Sequence, residues 1–187
     1  ENRGSYGVAL GNKSNVKSGA DYGIAVGYGS SVSTQQGIAI GTNTNSTASL
    51  AMAIGNGAQA SGENAISIGR TTSASGGDAV SIGTSAQASG GDAVSIGSSS
   101  QATGGDSIAL GKSAKAKNGD TIAIGQDAEA SLLNAVALGK TSKATGASAT
   151  ALGPQSTASA TYTTAIGMNS VANQEYAIAI GGSSEAT

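Results

Sequence analysis

The residues best arranged to act together chemically are acids and amides that return every 14 residues: Asn64, Asp78, Asp92, Asp106, Asp120 and Asn134. Neighbouring carboxylates can work as an acid–base pair or share a hard cation. Stacked about 5 Å apart on successive strands, they would repel by up to roughly 1 kcal/mol in water. Identical acids at identical positions do not single out one catalytic pair, and Asx side chains that satisfy their own turns account for the column directly. The calcium-binding nonapeptide G-G-x-G-x-D is not matched, so no metal site is expected. The chain has no His and no Cys, which removes Ser-His-Asp and Cys-His catalysis and most zinc sites. The expectation is a chain that is not an enzyme, with no catalytic residue and no cofactor.

Three further groups are candidates for contact with a partner. Tyr6, Tyr22, Tyr162 and Tyr176 share the spacing of the acids. Tyrosine is favoured where binding energy concentrates, so Tyr22, Tyr162 and Tyr176, together with Tyr28, are candidate ligand contacts. Leu132 and Leu133 stand where other repeats carry glycines, and an exposed apolar pair often marks an interaction site. Lys112, Lys115, Lys117, Lys140 and Lys143 cluster in sequence. Lys112, Lys115 and Lys143 are taken as candidate contacts to anionic glycans or matrix proteins, an attraction that salt would weaken. Each group also has a plain reading: turn cover for the tyrosines, a packing variant for the leucines, a solvated surface for the lysines.

These groups are positioned by a repeat. The tetrapeptide apolar–Ala/Ser–apolar–Gly ends at Gly11, Gly27, Gly41, Gly55, Gly69, Gly83, Gly97, Gly111, Gly125, Gly139, Gly153, Gly167 and Gly181. The first interval is 16 residues, with two extra residues within Lys17–Asp21, and the other eleven are 14. A disordered Gly/Ser linker has no cause to hold such a phase. With each glycine as position 0, position −1 is Ile, Leu or Val throughout, and −3 is apolar except at Thr150 and Thr164. Position −2 is always Ala or Ser. This alternation, rich in Ile and Val, marks a β-strand. After the glycine, +3 and +5 are small or Val and +4 is mostly polar, which marks a second strand. The position-0 glycine makes one turn, where φ above zero is favoured. The pairs Gly76–Gly77, Gly90–Gly91 and Gly104–Gly105, each followed by Asp, make the other. The prediction is all-β: a parallel solenoid of about 13 coils, two short strands per 14-residue coil, in one domain spanning 1–187.

None of the charged residues occupies −3, −2, −1, +3 or +5. The expected interior therefore places the Ile/Val ladders of Ile54, Ile68, Ile82, Ile96 and Leu110 inside the roll, against +3 and +5. The small ladder of Ala53, Ser67, Ser81, Ser95 and Ala109 then faces other copies of the chain. The reverse assignment, with Ile/Val at the subunit interface, also requires oligomerisation, because either way both faces of the first strand are covered. A closed symmetric assembly is the commoner solution to such a surface.

Composition excludes other classes. Net charge is −2 with 11% charged residues, and no basic patch suits a nucleic acid. No apolar run approaches the roughly 18 residues that span a bilayer, so no direct membrane insertion is expected. The outward +4 column mixes Asn, Gln, Lys, Glu and Ser, unlike the regular threonine ladder of an ice-binding solenoid.

The repeats GENAISIG, GGDAVSIG and GGDSIALG, each followed by x-x-Ser/Ala-x-Ala, resemble the YadA-like head of trimeric autotransporter adhesins. The resemblance covers nearly the whole chain. It implies a left-handed parallel β-roll, a homotrimer, and a position on the bacterial cell surface, projecting from the outer membrane. It also implies adhesion to host matrix proteins or cell-surface receptors, or autoaggregation, with a role in virulence. The neck, coiled-coil stalk and membrane anchor usual in the family are expected to lie outside this stretch. The competing expectation is a structural spacer with no ligand of its own.

Overall fold

The computed structural model describes residues 1–187. The period-2 runs become strands of three residues and the segments after each glycine become strands of two. The chain divides into two compact units, Glu1–Asp92 and Ala93–Thr187. The first holds six coils. Its three-residue strands, from Val8–Leu10 to Val80–Ile82, form one parallel sheet, and its two-residue strands, from Asn15–Val16 to Gln87–Ala88, form another. The second holds seven coils, from Val94–Ile96 to Ile178–Ile180 in one sheet and from Gln101–Ala102 to Glu185–Ala186 in the other. The protein is thus an all-β parallel solenoid of about 13 turns without a helix.

Register follows the repeat. Ile66, Ser67 and Ile68 pair with Val80, Ser81 and Ile82, and Gln101 and Ala102 pair with Lys115 and Ala116. Like residues therefore stack on like. Across the longer first interval Val8 still pairs with Ile24. The two extra residues loop out at the exposed segment Lys17–Gly19, where Gly19 takes a φ of 83°.

The interior corrects the expected assignment of faces. Position −2 points inward with +3 and +5: Ala53, Ser67, Ser81, Ser95 and Ala109 are all fully buried, as are Ala58, Ala60 and Ala114. Ile54, Ile68, Ile82 and Leu110 are half-buried and Ile96 is exposed, on the outer side of the same sheet. The reason is width. A coil of two short strands closed by two tight turns leaves room for Ala or Ser between its walls and none for Ile. The few larger side chains inside are compensated: Val32 meets the space where a Cβ on Gly37 would lie, at 2.8 Å, and Val16 does the same at Gly7, at 3.0 Å. Thr150 and Thr164 consequently interrupt the outer apolar ladder and not the core.

Two kinds of turn close each coil, and both need unusual backbone. Residues at +2 and −5 take the left-handed conformation, among them Ser85, Asp127, Asp78, Asp106 and Tyr162, with φ of 57°, 55°, 53°, 52° and 58°. Asn and Asp tolerate this region best among residues with a Cβ, which accounts for the acid column. At position 0 the demand is stricter. Gly125 has a φ of 129°, and a Cβ there would stand 2.5 Å from the carbonyl oxygen of Gly139. Both backbone conformation and contact with the next coil therefore require glycine at this column. Inward Ser and Thr finish the turns, as when Ser142 Oγ donates to the Gly139 carbonyl at 2.9 Å and Thr163 Oγ1 to the Ala160 carbonyl at 2.6 Å.

Candidate functional site

Apolar side chains that the chain does not bury within itself line the outer side of the three-residue sheet in each unit. In Glu1–Asp92 it carries Val8, Leu10, Ile24, Val26, Ile38 and Ile40 onward; in Ala93–Thr187 it carries Val94, Ile96, Ile108, Leu110, Ile122 and Ile124 onward. Every one of these positions is half-buried or exposed, whereas the −2 residue between them is buried in every coil but the first, where Ala9 is half-buried. An apolar stripe of this kind, broken only at Thr150 and Thr164, marks an association surface. Its existence follows from the narrow interior: the Ile, Val and Leu that favour the three-residue strand lie outside it, and Val enters the interior only where glycine leaves room, as at Val16 and Val32.

The two-residue sheet presents the opposite chemistry. Its outward +4 side chains are Asn15, Ser31, Asn45, Gln59, Ser73 and Gln87 in the first unit, all uncharged. In the second unit the same column includes Lys115, Glu129 and Lys143, and the pairing Lys115–Glu129–Lys143 alternates in sign across three strands. Lys117 Nζ lies 2.5 Å from Glu129 Oε1, and Ser131 Oγ donates to the same oxygen at 3.0 Å. The hydrogen bond from Lys117 holds the Glu129 carboxyl below its ordinary range against the opposing effect of partial burial. Of the predicted lysines, Lys115 and Lys143 therefore share one face with Glu129 between them. Lys112 lies in the adjacent turn, at the same column as Lys140. Lys117 belongs to the lysine cluster without being a candidate contact, and Glu129 was not singled out; the signal that identifies Glu129 is the sign alternation at cross-strand register.

The tyrosines pair along their turn column. Tyr6 stacks on Tyr22 with ring centroids 5.2 Å apart and planes 11° from parallel, and Tyr162 on Tyr176 at 5.3 Å and 9°. All four are exposed. Tyr28 lies in another turn column, with Lys13 Nζ 5.3 Å from its ring centroid, within the range of a cation–π contact. Leu132 and Leu133 are both exposed, and Leu133 leans over Gly119, where a Cβ would meet its Cδ1 at 3.3 Å. In the acid column Asn64 Nδ2 donates to Asp78 Oδ1 at 3.1 Å. No group of three or more His, Cys, Asp or Glu side chains gathers as a metal site would require, and no pocket opens in the surface.

Taken together, a parallel β-solenoid with an interior of mostly Ala and Ser, an apolar ladder outside it and a mostly polar second sheet defines a class of β-repeat protein. The particular family follows from the repeat. The model described as the YadA head domain repeat (2 copies) matches residues 3–30, 18–44, 46–71, 74–100, 88–114, 102–128, 116–142, 144–170 and 162–184, and the chain belongs to this family. The family is one of adhesin-like surface proteins of the trimeric autotransporter type, in general homotrimeric and non-enzymatic. No curated protein matches the chain.

Proposed function

We propose that residues 1–187 form one head domain of a trimeric surface adhesin, and that three copies close their apolar ladders against one another. The observation that carries this reading is the division of labour between the two sheets. One presents Ile, Val and Leu that water would not cover favourably, and the other presents polar or charged groups at every outward position except Val171. Burying the first leaves the second as the surface offered to a partner on the bacterial exterior. The partner is a host matrix protein, a cell-surface receptor or another copy of the adhesin on a neighbouring cell. Candidate contacts are Lys115 and Lys143 on that surface, with Leu132, Leu133, Tyr22, Tyr28, Tyr162, Tyr176 and Lys112 in the turns beside it.

The test has two readouts. Light scattering gives the mass in solution, which should be three times that of one chain. A binding screen against collagen, fibronectin, laminin and intact host cells should then give at least one saturable interaction. A trimer that binds none of them, and does not aggregate cells that display it, fits the spacer reading instead. Replacing Leu132 and Leu133 by Ser should weaken cell adhesion; unchanged adhesion removes that pair from the contact surface.

A further inference from the structure

The chain contains two Asn–Gly dipeptides, Asn56–Gly57 and Asn118–Gly119. In such a pair the glycine nitrogen can attack the asparagine side-chain amide, because no Cβ on the following residue obstructs the approach. The two dipeptides occupy different turns of the coil, and the fold treats them differently. Gly57 N donates to the Thr42 carbonyl at 2.8 Å, so its amide is locked into the ladder between coils, and Gly57 has a φ of 67°. Gly119 N has no backbone partner. Its contact is the side chain of its own neighbour, Asn118 Oδ1, at 3.0 Å. The Asn118 side chain is therefore folded back over the amide that would attack it, and Asn118 is exposed to water.

We infer that Asn118 is a site of spontaneous deamidation, and that Asn56 is protected by the ladder. Gly119 N loses its proton to solvent base and bonds to Asn118 Cγ, and the side-chain nitrogen leaves as ammonia. Water then opens the five-membered succinimide at either carbonyl, giving Asp or isoaspartate. Either product places a new carboxylate in the turn that already carries Asp120. The isoaspartate route also lengthens the main chain by one atom inside a 14-residue coil. It displaces the Asn118 carbonyl, which now accepts from Thr121 Oγ1 at 2.6 Å and sits where a Cβ on Gly104 would be only 1.9 Å away. Deamidation therefore loosens the coil locally.

The experiment is prolonged incubation of the folded protein in mildly alkaline buffer, followed by tryptic digestion and mass spectrometry with fragmentation to localise each amide-to-acid conversion. A parallel sample is held in concentrated urea. In the folded protein Asn118 should convert several-fold faster than Asn56, and in urea the two rates should converge. Equal rates in the folded protein, or faster loss at Asn56, would overturn the inference. A difference that persists in urea would do so as well, since local sequence and not the fold would then be its cause. The variant Gly119→Ala should slow conversion at Asn118 several-fold; an undiminished rate also overturns it.

Discussion

The two faces of the three-residue strands invert the usual order of a β-sheet. Facing the chain's own core stand Ala25, Ala39, Ser67, Ala109 and Ala123, all fully buried; facing outward stand Ile24, Ile38, Ile66, Leu110 and Ile124. In an ordinary sandwich the larger apolar residues would fill the interior. Here the walls are too close for them. Small residues fill the inside of the single chain, and large apolar ones remain on its outer side. If the outer ladder closes against other copies, as proposed, fold and assembly are encoded on alternate residues of the same three-residue strand.

The largest way to break this comparison is to place a large residue inside. Ala123→Leu must be accommodated between two walls spaced for Ala, and overpacking of this kind typically costs about 1–3 kcal/mol and occasionally more. A clear fall in melting temperature is expected, whereas Ile122→Leu on the outer face should change it little. Next in size is an attack on assembly alone. The double substitution Ile122→Ser and Ile124→Ser should reduce the trimer's apparent affinity, seen as concentration-dependent loss of mass in sedimentation, while the β-signal of the chain persists. A double variant that stayed trimeric at every concentration would contradict the role given to the outer ladder.

Smaller effects sharpen the inner face. Ser67 Oγ donates to Thr72 Oγ1 at 2.9 Å, and Ser95 Oγ lies 2.7 Å from Ser100 Oγ. Ser81 has Ala86 in the corresponding place, and its buried Oγ has no hydrogen-bond partner. Leaving a buried polar group unpaired costs about 1–3 kcal/mol. Ser81→Ala should therefore raise the melting temperature, and Ser95→Ala should lower it. The same sign for both would refute the pairing rule.

The smallest effect lies on the display sheet. The Lys117–Glu129 pair is partly exposed, and such pairs contribute less than about 1 kcal/mol. Because the folded carboxyl titrates below its ordinary value, the pair's contribution is present above the unfolded pKa of about 4.3. It is lost as pH falls through the lower folded value. Glu129→Gln should accordingly lower stability slightly at neutral pH, and the gap from the parent should close in acid. A gap that widened in acid would contradict the direction of the shift.

Much of this was readable from spacing. The glycines from Gly11 to Gly181 predict one turn of each coil, and the alternation around them predicts both strands. The Asx column was legible as turn formers, and the left-handed backbone at Asp78, Asp92 and Asp106 supplies the cause. The second left-handed column, at Ser85, Ser99 and Asp127, was missed because Ser, Thr, Lys and Asp alternate there without a shared chemical signature. The tyrosine stacks were half legible: a common column was evident, but parallel contact requires strands in register one coil apart.

What the sequence by itself determined was the period, the element types, the turn columns and the need for burial on both sides of the first strand. A period-2 pattern assigns residues to alternate faces but does not say which face is the inside. Only the tertiary structure decided that, and the physical reason is the distance between the walls. Two short strands closed by tight turns leave a gap the width of Ala and Ser, so the Ile, Val and Leu of the three-residue strands lie outside, where further chains of the same sequence can cover them.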